Sequence, residues 1–433
     1  MTPQSNFMIV APIDPRLIER LTKTLGSMNH RPGVVDPLNN LLPFGRFDRL
    51  HFARLMILDD PTENDVAVYG VASRKWTTSL IFLGDCDGSA TDFLDDLVAR
   101  AGVGLKTIFS HCAGFTDQTD VRQWMSDRNQ SPATIYVNWI GRTVRQVREE
   151  DALYHSIESF LDASTDASRS ADPRRVRASI VEFVEQEREA GRLTLTPQEV
   201  TPPEWQLRNL LHLVGVPIIL LVFAPLIVVC LPFVIYELRR LEKRDPVIAP
   251  RPDPVHVARL ADLEDHDVTN QYNAFGAVKP GLFRRLALAF LLWVVDYTTR
   301  HVFNRGYLTR VSTIHFARWV FLADKTRVFF ASNYDGGDEA YMDDFINKLG
   351  WGLNLVFSNG VGYPQTQWVL HEGTYNEQPF KYFNRRHQLP SDVWYKAYPG
   401  LSTIDLERNS LIRAGIEKAS MTDAEIRDWL KLF

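Results

Sequence analysis

Cysteine is scarce in this chain: Cys86, Cys112 and Cys230 are the only three in 433 residues. So small a set excludes a disulfide framework, and with no CxxC pair a closed zinc site is not expected either; a reducing compartment is. Charge of one sign is also lacking. A formal net charge of −5 supplies no electrostatic reason for a nucleic-acid partner. The stretch from Met1 to Ile13 has no basic region followed by an apolar core, so no secretory signal is read there. Apolar runs long enough to matter are missing as well, with one exception.

That exception is residues 213–236, which carry no charge. As a helix they would extend roughly 36 Å, against a bilayer core of about 30 Å. Pro217, Pro225 and Pro232 interrupt the run, and Arg239, Arg240, Lys243 and Arg244 follow at once, which places that end on the cytoplasmic side. A shorter apolar run, 286–295, is flanked by Arg284, Arg285, Asp296 and Arg300 and reads as an interfacial helix over 282–300.

What the chain does have is an internal duplication. Leu50-His51-Phe52-Ala53-Arg54 answers Ile314-His315-Phe316-Ala317-Arg318. Asp87-Gly88 answers Asp335-Gly336, Asp95-Asp96 answers Asp343-Asp344, and Pro132 and Tyr136 answer Pro390 and Trp394. The first copy has the longer connection between Leu58 and Ile81, the second between Gly362 and Pro390. The expected organisation is a lead-in (1–48), a first repeat (49–160), a linker (161–312) containing a membrane-associated segment (210–241), a second repeat (313–415) and a C-terminal helix (416–433). In the second copy 313–322 and 327–331 read as a hairpin, 339–349 as a helix, 353–357 and 367–371 as strands, 377–387 as a helix and 393–398 as a strand. From Arg327 that is the ferredoxin-like order β-α-β-β-α-β. The fold class expected is therefore α+β: tandem ferredoxin-like repeats forming an intramolecular dimeric α/β barrel, with a membrane-inserting helical segment between them. Because two packed copies belong on one side of a membrane, the insertion is expected to be monotopic or re-entrant rather than a single crossing.

Shared polar residues are the ones a fold demands. An Arg inside a sheet needs a carboxylate or an anionic ligand, so Arg54 is expected to pair with Asp87 or Asp95, and Arg318 with Asp335 or Asp343. Positions that differ between copies are candidates for chemistry. Ser110-His111-Cys112 lies opposite Ser358-Asn359-Gly360, and Cys86 opposite Tyr334. If their strands adjoin, Cys86, Asp87, His111 and Cys112 converge into a metal or acid/base site. His371 and His387 are further candidates as axial ligands in the second copy.

The string Gly84-Asp85-Cys86-Asp87-Gly88 resembles the Gly-x-x-Asp-Gly pattern of dye-decolourising peroxidases. Those enzymes hold haem in two ferredoxin-like halves. The resemblance implies a distal Asp at Asp87, a distal Arg at Arg54 and a proximal His from the second half. The chain also resembles an uncharacterised group of bacterial membrane-associated proteins. It does so through its His-Phe-Ala-Arg strands, Asn270-Gln271 with Lys279-Pro280-Gly281, the 357–364 segment and Val393-Trp394-Tyr395. This implies attachment to the cytoplasmic face of a bacterial inner membrane. Three functions remain open: a haem-dependent, peroxidase-like oxidoreductase acting on a lipophilic substrate; a non-catalytic protein binding a lipid or other apolar ligand between the two sheets; and a structural protein at the membrane surface. Oligomeric state is not legible.

Overall fold

The computed structural model describes residues 2–72, 75–163, 172–306, 308 and 311–433. Part of the expected linker, 164–171, lies outside the described residues. Eight strands form two four-stranded antiparallel sheets: β1 (Gln4–Pro12), β2 (Leu50–Leu58), β3 (Ser79–Asp87), β4 (Thr134–Val137), β5 (Thr269–Ala277), β6 (Ile314–Leu322), β7 (Arg327–Asp335) and β8 (Val393–Lys396). The first sheet has the order β1-β3-β2-β8, the second β5-β7-β6-β4. Each sheet thus takes its fourth strand from the other half of the chain. The molecule is α+β, built on antiparallel pairing.

The duplication extends further than the motifs suggested. β1 and β5, expected in the lead-in and linker, occupy the same edge position in the two sheets, β1 against β3 and β5 against β7. The edge strands are closed alike, Ile9 bridging Asn129 and Ala274 bridging Gln388. Both His-Phe-Ala-Arg strands carry a register shift at their His, between Leu50 and Phe52 and between Ile314 and Phe316. Register also corrects one pairing of the copies. Tyr136 stands opposite Ala317 and Tyr395 opposite Ala53, so the counterpart of Tyr136 is Tyr395 and not Trp394.

Two expected strands are helical. Helix α1 (Ala90–Phe109) runs through Gly104-Leu105, and its counterpart continues from Asp338–Asp344 through a π turn at Phe345–Leu349 into α2 (Gly350–Phe357). Leu353, Val356 and Phe357 fit a helical face, while Leu353, Leu355 and Phe357 alternate as in a strand, so five residues do not distinguish the two periods. Gly104 allows the close approach of a neighbouring segment. A Cβ on Gly104 would lie 1.9 Å from the Leu41 carbonyl oxygen. Both helices bend at the same place, with non-helical angles at Ala101 and Leu349. No strand forms between Thr116 and Val121, and 367–371 contributes only a two-residue ladder, Thr366–Gln367 with His371–Glu372.

The sheets pack face to face over Met8, Met56, Leu58, Ile81, Leu83, Phe275, Val320 and Phe329. Two guanidinium groups cross this layer in opposite directions. Arg54, on β2, donates to the Tyr272 carbonyl (2.9 Å), Asn273 Oδ1, the Ser332 carbonyl and Asn333 Oδ1. Arg318, on β6, donates to the Phe7 carbonyl (2.9 Å), the Gly84 carbonyl (3.1 Å) and Asp85 Oδ1. The partners are thus drawn from the opposite sheet, not from Asp87, Asp95, Asp335 or Asp343.

The apolar run forms two helices, α3 (Pro203–Val222) and α4 (Ala224–Glu242), joined at Phe223. Among the described residues α3 is the one helix long and apolar enough to cross a membrane. Both ends of the apolar run, at the middle of α3 and just past α4, rest on the same helix, α5 (Leu282–His301). His212 Nδ1 lies 2.8 Å from His301 Nε2, and Tyr297 donates to the Leu213 carbonyl. Just past α4, Asp245 binds Arg284 at 2.8 Å and Lys279 at 2.6 Å. Between these feet the chain leaves Leu221, Val222, Val228, Val229, Leu231, Phe233 and Tyr236 exposed.

Arg318 faces a carboxylate and Arg54 only neutral acceptors, so their replacements differ. Arg318→Met leaves Asp85 buried without its partner and is expected to cost about 3–5 kcal/mol in urea unfolding. Arg54→Met leaves neutral acceptors unpaired and is expected to cost about 1–3 kcal/mol; equal losses would contradict this asymmetry.

Candidate functional site

The duplicated His and Asp form two equivalent relays. His51 Nε2 lies 2.9 Å from Asp87 Oδ1, and Asp87 Oδ2 accepts the Val144 backbone N–H at 2.8 Å. His315 Nε2 lies 2.6 Å from Asp335 Oδ1, and Asp335 Oδ2 accepts the Thr403 N–H at 2.7 Å. Val144 and Thr403 open the helices that follow the exchanged strands, so each Asp ties a sheet end to a helix N-terminus. Burial opposes ionisation of Asp335, yet His315 and the Thr403 and Thr269 hydrogen bonds hold its carboxyl down at about 2. In the first relay His51 Nδ1 also meets the Tyr398 hydroxyl at 3.1 Å. Asp87 is therefore engaged on both oxygens, and this is the architecture expected of a shared residue.

The asymmetric residues do not come together. Cys86 pairs in register with Ser5, whereas Cys112 bridges Ile13. These partners lie at opposite ends of β1, roughly 26 Å apart at about 3.3 Å per residue. His111, beside Cys112, sets Nδ1 3.1 Å from the Ile108 carbonyl, and its buried Nε2 has no partner among the described residues. Burial pushes the Cys112 thiol up to about 12 and the Cys86 thiol higher still, so neither supplies a thiolate near neutral pH. No cluster of three or more His, Cys, Asp or Glu suited to a metal occurs among the described residues. The expected Cys86–Asp87–His111–Cys112 convergence fails on sheet geometry.

The axial-ligand candidates part ways too. His371 is exposed on its two-residue ladder. His387 is buried, with Nδ1 2.7 Å from the Phe383 carbonyl and Nε2 3.2 Å from the Val361 carbonyl. Burial pulls its pKa down to about 4, so the ring is neutral. It borders an apolar cavity of about 40 Å³ between the outer face of the second sheet and the helices α2 and α6 (Glu377–His387). Ala274, Phe330, Leu353, Phe357 and Phe383 line it.

Haem, implied by the peroxidase resemblance, does not fit these residues. Asp87 ends a strand of the first sheet, Arg54 and Arg318 lie between the sheets, and His387 lies behind the second sheet. One porphyrin cannot touch all of these layers. The imidazole of His387 already meets two carbonyl oxygens, and 40 Å³ does not admit a macrocycle.

Side chains of the apolar layer fill the space between the sheets, and an apolar cavity lies instead behind the second sheet. That cavity has a signal in the sequence, at strands the motif comparison did not reach. Ile9 in β1, fully buried, corresponds to Ala274 in β5, which lines the cavity. No family model, curated protein or solved structure matches the chain.

Near the same helices, Asp338 sits 7 % exposed, and its Oδ1 has no partner among the described residues. Burial pushes its carboxyl up to about 6, against the pull of Arg385 at 3.2 Å and with Glu264 adding to the rise. The folded value lies above the unfolded one. Its contribution to stability is therefore full below about pH 4 and lost as pH rises through the folded value. Asp338→Asn should raise the melting temperature at pH 7.5 and leave it nearly unchanged at pH 4.5. The thiols give a second check. Iodoacetamide at pH 8 should spare Cys86 and Cys112 in the folded protein and label both in urea, as read by mass spectrometry; native labelling of Cys112 would contradict its burial.

Proposed function

We propose that this chain is a monotopic protein of the cytoplasmic face of a bacterial inner membrane, which binds an apolar ligand at the lipid surface without catalysing a reaction on it. The observation that carries this reading is the exposed apolar run of α3–α4, anchored on α5 where it begins, at His212, and just past its end, at Asp245. A segment whose two ends return to one helix is suited to dipping into a single leaflet. A soluble protein rarely leaves so continuous an apolar surface in water. The exposed stripe Leu282, Leu286 and Phe290 on α5 extends the same surface, and Lys243 and Arg244 flank it with charge suited to anionic headgroups, Arg239 and Arg240 being paired with Glu242 and Glu237.

The strand order supports the finer fold reading: two ferredoxin-like units closed on each other as an intramolecular dimeric α/β barrel with exchanged fourth strands. The lipid-binding reading is preferred to the peroxidase-like one because Asp87, Arg54 and His111 are dispersed and Asp87 is committed to a helix terminus.

Flotation with vesicles containing phosphatidylglycerol tests the membrane reading. The full-length protein should float, and Val228→Asp with Leu231→Asp should send most of it to the dense fraction. A wild-type protein that stays in the dense fraction, monodisperse without detergent, would overturn the proposal.

A further inference from the structure

We infer that the cavity behind the second sheet takes the methyl end of a single acyl chain, an inference that rests on the lipid-surface reading above. The first argument is the chemistry of its wall. Each polar side chain on the wall is already engaged. Tyr272 donates to Asn384 Oδ1 at 2.9 Å, Asn384 Nδ2 donates to the Phe380 carbonyl at 2.9 Å, and the single N–H of the neutral His387 ring is taken by a backbone carbonyl, the nearer being that of Phe383 at 2.7 Å. No donor is left over to select a polar ligand, and the wall carries no charged residue. Hydrocarbon is what such a wall accepts. At about 40 Å³ the space suits the end of a linear chain rather than a ring system.

The second argument is the internal comparison. In the first half the same layer is closed: Ile9 and Leu80 are fully buried in a continuous core. In the second half the equivalent positions hold the smaller Ala274 and Val328, and both line the cavity. The fold therefore closes well without this space, and the second half keeps it open.

The third argument is continuity with the proposed lipid face. Trp368 lies under the guanidinium of Arg239 at 5.1 Å, on the foot of α4. That foot is clamped by Glu242, which accepts from Thr366 Oγ1 at 2.7 Å and from the Val369 N–H at 2.7 Å. The clamp belongs to the longer connection of the second copy. Tyr375 follows, its ring pressed on Gly350, where a Cβ would come within 2.7 Å. Gly350 opens α2, whose Leu353 and Phe357 line the cavity. Trp351, Trp368, Leu370 and Tyr375 along this path are all exposed, as aromatic and apolar side chains at a lipid interface would be.

The test uses stearic acid labelled with carbon-13 at its terminal methyl, which adds no bulk to the chain end, added to the full-length protein in amphipol. Carbon-13 NMR separates the shifted and broadened resonance of an immobilised label from that of one dissolved in the amphipol. The wild type should show about one immobilised label per chain. Ala274→Ile and Val328→Leu, which copy the first half, should each lower that fraction at least fivefold, while Val103→Ile on the exposed face of α1 should not. Both filling variants should still float with vesicles. No immobilised label in the wild type, or equal immobilisation in the filled variants, would overturn the acyl-chain site while flotation separately decides the lipid-surface reading.

Discussion

β4 hydrogen-bonds to β6 and β8 to β2, so neither half of the chain completes a sheet from its own strands. Antiparallel pairing of this kind leaves no stable state for one half alone, because each would present an unpaired strand edge and an uncovered apolar face. The crossing guanidinium groups add to this constraint. Arg54 finds its acceptors on the second sheet and Arg318 on the first, so each sheet satisfies a charge buried by the other. Burial lowers the Arg54 pKa to about 9, against the opposing pull of the Asp85 charge.

The two longer connections break the symmetry: the first reaches across to the other half, and the second fastens the foot of α4. The one in the first copy brings Asp60 to Arg327, Asp65 to Arg386, and Thr62 Oγ1 to the Ala277 N–H. The one in the second copy forms the Thr366–Val369 clamp on Glu242. A duplicated scaffold has thus been fastened twice by segments that only one copy carries. The apolar helices, the clamp and the cavity all fall on the second half, whereas the first half is a closed core.

Much of the local organisation was legible in the residues. The His-Phe-Ala-Arg strands, the hairpin turn at Asp324-Lys325, the 377–387 helix and the capping box at Thr422 and Glu425 are dictated by neighbours a few positions away. Short apolar stretches were not legible in this way. Residues 353–357 satisfy both periods, and only the continuous helix from Asp338 through the π turn settles which period wins. The strands β1 and β5 escaped the comparison because they share a position in the sheet but little residue identity.

The sequence by itself determined the duplication, the residues that recur in it, and an uncharged segment too long and too apolar for an ordinary surface. Only the tertiary structure decided which strand pairs with which, that Cys86 and Cys112 lie at opposite ends of β1, that Arg54 and Arg318 bind across the sheets, and that the open space lies behind the second sheet. The reason is physical. An alternating strand pattern specifies which face is buried but not which partner buries it, since side-chain direction repeats every two residues whatever the neighbouring strand.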